Sequence, residues 1–169
     1  MHNIGEYVLY GAAGVNTIVD IREESIGDVS RSYYVLRSAS SRTDSLTFVP
    51  ADNERLVSAM RPLLTAEELD NLISDAKNVQ PCHWIEANRA RSEHFKQIME
   101  SGDRVGMIAM IKAINEQGVR RIAEGRKNFL ADETAKQKAL KLLSSEFAIV
   151  QDISDEEALA LAESLTSCN

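Results

Sequence analysis

Cysteine, proline and aromatic residues are scarce in this sequence. Its 169 residues include two cysteines, three prolines and one tryptophan, and aromatic side chains make up 5% of the chain. Two cysteines placed as far apart as Cys82 and Cys168 do not build a disulfide framework, which predicts a protein of a reducing compartment. The N-terminus has no basic start followed by a long apolar run, so we expect no secretory signal there and a cytoplasmic location.

Long apolar runs are also missing. No segment approaches the roughly 18 consecutive apolar residues of a membrane span, so no membrane association is expected. The hydrophobic fraction of 44% and the charged fraction of 27% exclude collagen-like and largely disordered chains. A chain of this length can form one large or two small domains with a buried core.

The sequence lacks the motifs of the common enzyme classes. It contains no Walker-type glycine loop, no G-x-G-x-x-G between a strand and a helix, and no G-x-S-x-G turn. Cys82, His83 and His94 could be considered as metal ligands, but adjacent residues rarely face one ion and no fourth ligand is evident. We therefore expect a protein that is not an enzyme and that has no catalytic residues, metal or cofactor.

Acidic residues outnumber basic ones, but unevenly along the chain. The net charge of −7 argues, as an average, against nucleic acid as a partner. Residues 84–130 nevertheless contain nine basic and six acidic side chains, a net charge of +3, and this segment begins with the only tryptophan. A local basic excess indicates an anionic partner better than the average does, although solvated helix faces produce the same pattern.

The first fifty residues predict β-structure. Short β-branched and aromatic runs cover residues 7–10, 15–21, 33–36 and 46–49, and glycine or polar turns such as 38–44 separate them. Strands this short and this closely spaced predict a small antiparallel barrel or a strongly bent sheet.

From Thr65 onward the apolar period becomes helical. Capping boxes begin at Thr65 and at Ser154, each with a glutamate three residues later. Between them the apolar spacing predicts further helices, one of which runs over residues 84–100. The sequence therefore predicts an α+β protein of two domains, with a β module over residues 1–64 and an all-α domain over residues 65–169.

The segment that begins at Trp84 combines an aromatic ring with cations. Trp84 is followed within two helical turns by Arg89 and Arg91, which places a flat apolar wedge beside side chains that can reach phosphates. Apolar wedges inserted between base steps hold distorted DNA from the minor groove. A continuous helix would also put Trp84 on one stripe with Arg91 and Phe95, which predicts instead a tryptophan that covers the hydrophobic core. Both interpretations stay open.

Two further cations, Arg126 and Lys127, fall in a predicted loop and have no obvious acidic partner. Arg120, by contrast, has Glu116 and Glu124 four residues away on the same helix face. Charge placement therefore adds Arg126 and Lys127 to the candidate DNA contacts.

Several segments, taken in order, form a recognisable combination. They are Tyr7-Val8-Leu9-Tyr10, Gly14-Val15, Ile18-Val19-Asp20-Ile21, Tyr34-Val35-Leu36, Val49-Pro50-Ala51-Asp52-Asn53, Trp84-Ile85-Glu86-Ala87-Asn88-Arg89-Ala90-Arg91, Glu100-Ser101-Gly102-Asp103 and Ala139-Leu140-Lys141-Leu142-Leu143-Ser144-Ser145-Glu146-Phe147. The β module resembles the polymerase-interacting domain that CarD and CdnL share with the transcription-repair coupling factor. The helical part is similar to the rest of a CarD/CdnL protein, so the resemblance covers almost the whole chain.

The resemblance implies a Tudor-like β domain that binds the β subunit of bacterial RNA polymerase, joined to a helical domain that contacts promoter DNA. In the family the tryptophan supports the melted region of the promoter from the minor-groove side. Trp84 would be this wedge and Arg89 a phosphate contact, in an interaction largely independent of DNA sequence. Glu24 and Phe48 align with polymerase-facing positions that are basic in some relatives. We expect a monomer.

The alternative belongs to another functional class. It is a protein-interaction adaptor whose β module binds a different partner, with Trp84 buried and no direct contact with DNA.

Overall fold

The chain divides into two compact units, Met1–Leu63 and Leu64–Asn169. The computed structural model of the protein describes residues 2–26, 29–39 and 45–167. Cys168 and most of the turn predicted over residues 38–44 lie outside the described residues. The first unit carries a β-sheet and the second is built from helices, which confirms the predicted two-domain α+β fold.

In the residues that the structure describes, the first unit contains five strands and a short α-helix, which are β1 (Tyr7–Tyr10), β2 (Val15–Ile26), β3 (Val29–Ser38), β4 (Leu46–Pro50), α1 (Glu54–Ser58) and β5 (Met60–Pro62). A single 3₁₀ turn follows β1 at Gly11–Ala13. The strands form one antiparallel sheet in the order β4-β3-β2-β1-β5. The last strand and the short helices were not predicted, and the strands predicted over residues 15–21 and 33–36 extend into the polar segment between them as β2 and β3. Exposed polar side chains lie on both faces of this extension, so it lacks an apolar alternation.

A bulge at Val19 bends β2. Ile18 pairs with Leu36 and Asp20 pairs with Val35, so Val19 is an extra residue on β2. Regular alternation predicts Ile21 on the face opposite Ile18, but the bulge moves both to the same face. That face forms the core of the unit, made of Val8, Ile18, Tyr34, Leu36, Val49 and Met60.

Five longer helices build the described part of the second unit, and they are α2 (Ala66–Ala76), α3 (Asn88–Ser101), α4 (Arg104–Ala123), α5 (Leu130–Gln151) and α6 (Asp155–Thr166). Both predicted capping boxes are present, and each closes reciprocally between a hydroxyl residue and the glutamate three positions later. Gly102 adopts a left-handed φ of 68° that ends α3, and the Asp103 side chain accepts a hydrogen bond from Gly106 N–H at the start of α4. Within the described residues no helix is both long and apolar enough to cross a membrane.

The apolar stripes of these helices meet in one core. Its most deeply buried side chains are drawn from α2 to α6, so each of these helices contributes an apolar face to it. Representative members are Leu69, Phe95, Met107, Ile108, Ile111, Leu143, Phe147, Ala158 and Ala162.

The helix predicted to begin at Trp84 begins four residues later, at Asn88. The carbonyls of Ile85 and Glu86 accept hydrogen bonds from Arg91 Nη1, at 2.7 and 3.2 Å, so a side chain takes the place of the donors that a helix would supply. Trp84 therefore lies in a non-helical segment. The N–H of Cys82 ties this segment to the Ala109 carbonyl of α4, at 3.1 Å.

Candidate functional site

Trp84 is half-buried at the border of the helical core. Its ring packs on Phe95, with 6.3 Å between ring centroids and 60° between ring planes. The guanidinium carbon of Arg91 lies 4.4 Å from the centroid of the indole. The two sequence interpretations of Trp84 are therefore not exclusive, because the ring contacts the core and part of its surface remains accessible.

Arg91 is a buried structural cation. It is 2% exposed. It forms a bidentate ion pair in which Nε donates to Asp132 Oδ1 at 3.0 Å and Nη2 donates to Asp132 Oδ2 at 2.9 Å. Nη1 donates to the carbonyls of Ile85 and Glu86, and Nη2 also donates to Asn88 Oδ1. All five guanidinium donors are engaged. This burial disfavours the predicted contact of Arg91 with DNA, since a phosphate would have to displace an internal partner.

A second aromatic ring extends the contact between Arg91 and Trp84. The guanidinium carbon of Arg91 lies 5.2 Å from the ring centroid of Phe129, and that of Arg121 lies 3.9 Å from it. We call Trp84, Arg91, Phe129 and Arg121 the Trp84 stack. Arg121 Nε donates to the Lys127 carbonyl at 2.9 Å, so the loop between α4 and α5 is attached to the stack.

Three members of this arrangement were not predicted from the sequence. Arg121 and Phe129 of the stack, and Asp132 below it, are distant from Trp84 along the chain, and no local spacing relates them to it. The one available signal was the carboxylate of Asp132 in the first turn of a helix, which the helix dipole also explains.

Arg89, Arg126 and Lys127 are exposed, as a surface that meets an anion requires. Arg89 and Lys127 form no ion pair with any residue that the structure describes. Arg126 Nη1 lies 3.5 Å from Glu124 Oε2, but both side chains are more than half exposed. Such a pair contributes at most about 1 kcal/mol, so it competes weakly with a phosphate.

The loop between α4 and α5 packs closely against α4 at Gly118. A methyl group on Gly118 would lie 3.0 Å from Asn128 Nδ2, closer than ordinary van der Waals contact. Asn128 Nδ2 donates to Glu133 Oε1 at 2.9 Å, which ties the end of the loop to the first turn of α5. The glycine inside α4 is therefore a packing position that lets the loop approach.

A small cavity lies beside the Trp84 stack. Trp84, Gln117, Asn128 and Phe129 are among its lining residues, and its volume is about 10 Å³. This is the space of about one water molecule, and a nucleobase or an organic cofactor does not fit. A contact with nucleic acid at this place would have to be made on the surface of the stack.

Phe48 occupies the edge strand of the sheet. It is 43% exposed and contacts Tyr33 edge to face, with ring centroids 6.4 Å apart. Leu46, 39% exposed, lies two residues earlier on the same face of β4. Only β3 pairs with β4 in the described part of the sheet, so one edge of β4 is open. An apolar strand with an open edge can accept a further strand.

Glu24 lies farther along the same face. It is four residues beyond Asp20, whose cross-strand partner Val35 also pairs with Phe48. Arg22 Nη1 lies 3.9 Å from Glu24 Oε1, and both side chains are well exposed. Glu24 and Phe48 are thus on one face of the sheet but separated along the strands by about 13 Å, at about 3.3 Å per residue.

No cluster of candidate metal ligands is found in the described ranges. No three histidine, cysteine, aspartate or glutamate side chains there come close enough together to hold a metal ion. Burial raises the pKa of the half-buried Cys82 thiol above its ordinary value, which disfavours the thiolate.

Comparison with known proteins identifies the first unit. Residues 2–64 match the family model described as CarD-like/TRCF RID domain. Curated proteins gave no match to the chain. The matched range includes every strand of the sheet and both Glu24 and Phe48, whereas the Trp84 stack lies beyond it. The first unit of this protein is therefore a CarD-like RNA polymerase-interacting domain, as the resemblance of the β module indicated.

Proposed function

We propose that this protein is a bacterial transcription regulator that binds the β subunit of RNA polymerase and stabilises the open promoter complex through its helical unit. The proposal rests chiefly on one observation. In the same chain as a polymerase-interacting domain, a partly exposed tryptophan packs against the buried guanidinium of Arg91 and lies in the only net-basic stretch of the sequence. In this function the protein acts in the cytoplasm, as a monomer on the polymerase.

The DNA contact would consist of the Trp84 ring with Arg89, Arg126 and Lys127 around it. The ring would support the melted edge from the minor groove and the cations would bind phosphates, with little dependence on base sequence. A chain of net charge −7 binds free DNA weakly. Attachment to polymerase raises the local concentration of the helical unit, so a weak contact is sufficient.

The polymerase contact would use the open edge of β4. Exposed backbone groups of β4 can pair with a strand of the β subunit, and Phe48 can enter an apolar pocket beside that strand. Glu24 lies on the same face and would face a basic side chain of the partner. The exposed position of Phe48 and the open edge support this arrangement.

The wedge is tested by replacing Trp84 with alanine. We expect polymerase binding to be unchanged and the open complex to dissociate several-fold faster, because stacking of an aromatic side chain on a base contributes about 1–3 kcal/mol. The measurement is the lifetime of heparin-challenged promoter complexes. An unchanged lifetime with the variant bound would contradict the proposal.

The cations are tested by Lys127→Ala, with Arg120→Ala as the matched control. Arg120 is an exposed cation of the same region, but it is paired with Glu116 at 2.9 Å. Lys127→Ala is expected to shorten the lifetime and to lower its salt dependence by about one phosphate contact. Equal effects of the two substitutions would show a general effect of charge instead.

The docking edge is tested by Phe48→Ser, with Ile4→Ser as the control. Ile4 is 61% exposed in the same unit, so both variants remove an exposed apolar side chain. We expect only Phe48→Ser to weaken capture of the full-length protein by the polymerase β subunit. Equal binding of Phe48→Ser and the unmodified protein would remove β4 from the interface.

The adaptor without a DNA contact remains the second candidate, and the packing of Trp84 on Phe95 favours it. Promoter DNA with 2-aminopurine at the upstream edge of the melted region separates the two functions. A DNA-contacting Trp84 changes the 2-aminopurine emission relative to Trp84→Ala, whereas the adaptor predicts the same emission for both.

A further inference from the structure

We propose that Arg91 and Asp132 are positioning residues that set the placement of the Trp84 ring for its contact with DNA. The inference rests on the proposed function and concerns residues that are not themselves available to DNA. Arg91 is 2% and Asp132 3% exposed.

Arg91 contacts two parts of the segment around Trp84. One guanidinium lies against the indole, at 4.4 Å from its centroid, and also binds the carbonyls of Ile85 and Glu86, the two residues that follow Trp84. Arg91 therefore contacts both the ring and the backbone that carries it. A planar guanidinium with directional donors fixes these groups, whereas a flexible ammonium group would not.

Asp132 in turn holds Arg91. Its two carboxylate oxygens accept from Nε and Nη2, at 3.0 and 2.9 Å, which determines the plane of the guanidinium. Asp132 lies in the first turn of α5, a helix whose buried apolar residues belong to the main core. Arg91 and Asp132 therefore connect Trp84 to a helix of the main core.

The energetics of such a pair favour a role in geometry. Desolvation of two buried charges offsets most of their attraction, so a buried ion pair contributes little net stability compared with apolar residues of similar size. What the pair supplies is a fixed orientation. The same guanidinium also contacts the Phe129 ring, and Arg121 contacts that ring as well. Because Arg121 donates to the Lys127 carbonyl, the stack also holds the loop that contains Lys127.

The chain contains a matched control for this pair. Glu146, also on α5, is 1% exposed and accepts from Arg104 Nε at 3.0 Å and Nη2 at 2.7 Å. It also accepts from the N–H of Leu64 and so holds the start of the helical unit. Glu146 lies 14 residues beyond Asp132, about 21 Å along the helix at 1.5 Å per residue. Both carboxylates are buried in the same kind of ion pair, but only Asp132 is joined to Trp84.

The experiment compares Asp132→Asn with Glu146→Gln in the full-length protein. The first readout is acrylamide quenching of the single tryptophan in the free protein. We expect Asp132→Asn to raise the quenching constant about twofold or more and Glu146→Gln to leave it unchanged at equal helical content. Arg91→Lys, which keeps the charge without the planar fork, is expected to behave like Asp132→Asn and replaces it if that variant does not fold.

The second readout is the lifetime of the open complex, measured with and without the Trp84→Ala substitution. Asp132→Asn should shorten the lifetime several-fold when Trp84 is present and should have no further effect when Trp84 is alanine. Equal effects of Asp132→Asn and Glu146→Gln, or full additivity with Trp84→Ala, would overturn the inference. If Trp84→Ala alone leaves the lifetime unchanged, the proposed function fails, and the quenching result still decides whether Asp132 positions the ring.

Discussion

Replacing Arg91 by methionine is expected to destabilise the helical unit more than replacing Arg91 and Asp132 together. The single substitution leaves the 3% exposed carboxylate of Asp132 without its cation. Removal of one partner from a buried pair costs about 3–5 kcal/mol, because the other charge remains desolvated. The double variant Arg91→Met/Asp132→Leu removes both charges. It mainly loses the two hydrogen bonds to backbone carbonyls, at about 1 kcal/mol each, so its cost is about 2 kcal/mol.

Urea unfolding followed by far-ultraviolet circular dichroism measures this difference, because the helices dominate the signal. The Arg91→Met transition should lie at a lower urea concentration than that of the double variant, with similar slopes. A loss below about 1 kcal/mol for Arg91→Met would mean that the substitution does not leave a desolvated charge at Asp132. A double variant at least as unstable as Arg91→Met would refute the assignment of the cost to an unpaired buried charge.

Further predictions concern the core and the helix caps. Leu143→Ala removes a fully buried side chain and is expected to cost about 2–5 kcal/mol in urea unfolding, whereas Leu130→Ala, at an 83% exposed position, should change stability by less than about 0.5 kcal/mol. Ser154→Ala removes the cap of α6 at a cost of about 1 kcal/mol, and should return the pKa of Glu157 toward its ordinary 4.5 in an NMR titration. The backbone N–H of Ser154 donates the hydrogen bond that lowers the pKa of Glu157 most, and the Ser154 hydroxyl has the next largest effect. Thr65 lowers the pKa of Glu68 in the same way. The stabilisation from these two carboxylates is therefore complete above pH 4.5 and is lost as the pH falls through their lower folded-state pKa values, so Glu157→Gln should flatten the acid side of the stability profile.

Features that depend on neighbouring residues were predicted correctly from the sequence. The capping boxes at Thr65 and Ser154 close between residues three apart, and both helices begin where the pattern places them. The strand predicted over residues 7–10 is β1 of the structure. A short run of β-branched and aromatic residues favours a strand over other secondary structure. Such signals require no knowledge of what the element packs against.

Features that depend on distant partners were missed or wrongly predicted. Arg91 was predicted to contact phosphate because its charge is visible in the sequence, while its partner Asp132 is 41 residues away. The same guanidinium binds two backbone carbonyls and delays the start of α3 to Asn88. The bulge at Val19 likewise follows from strand pairing and not from any local residue pattern.

The sequence by itself determined the division into a β module and a helical unit, because hydrophobic periodicity and helix caps are properties of short segments. It also indicated where a flat aromatic ring and a local excess of positive charge occur along an acidic chain. Only the tertiary structure decided which cations face solvent and which are buried, since burial depends on side chains brought together from different helices. The four cations at positions 89, 91, 126 and 127 look alike in the sequence. Folding buries Arg91 in an ion pair with Asp132 of another helix and leaves the other three at the surface.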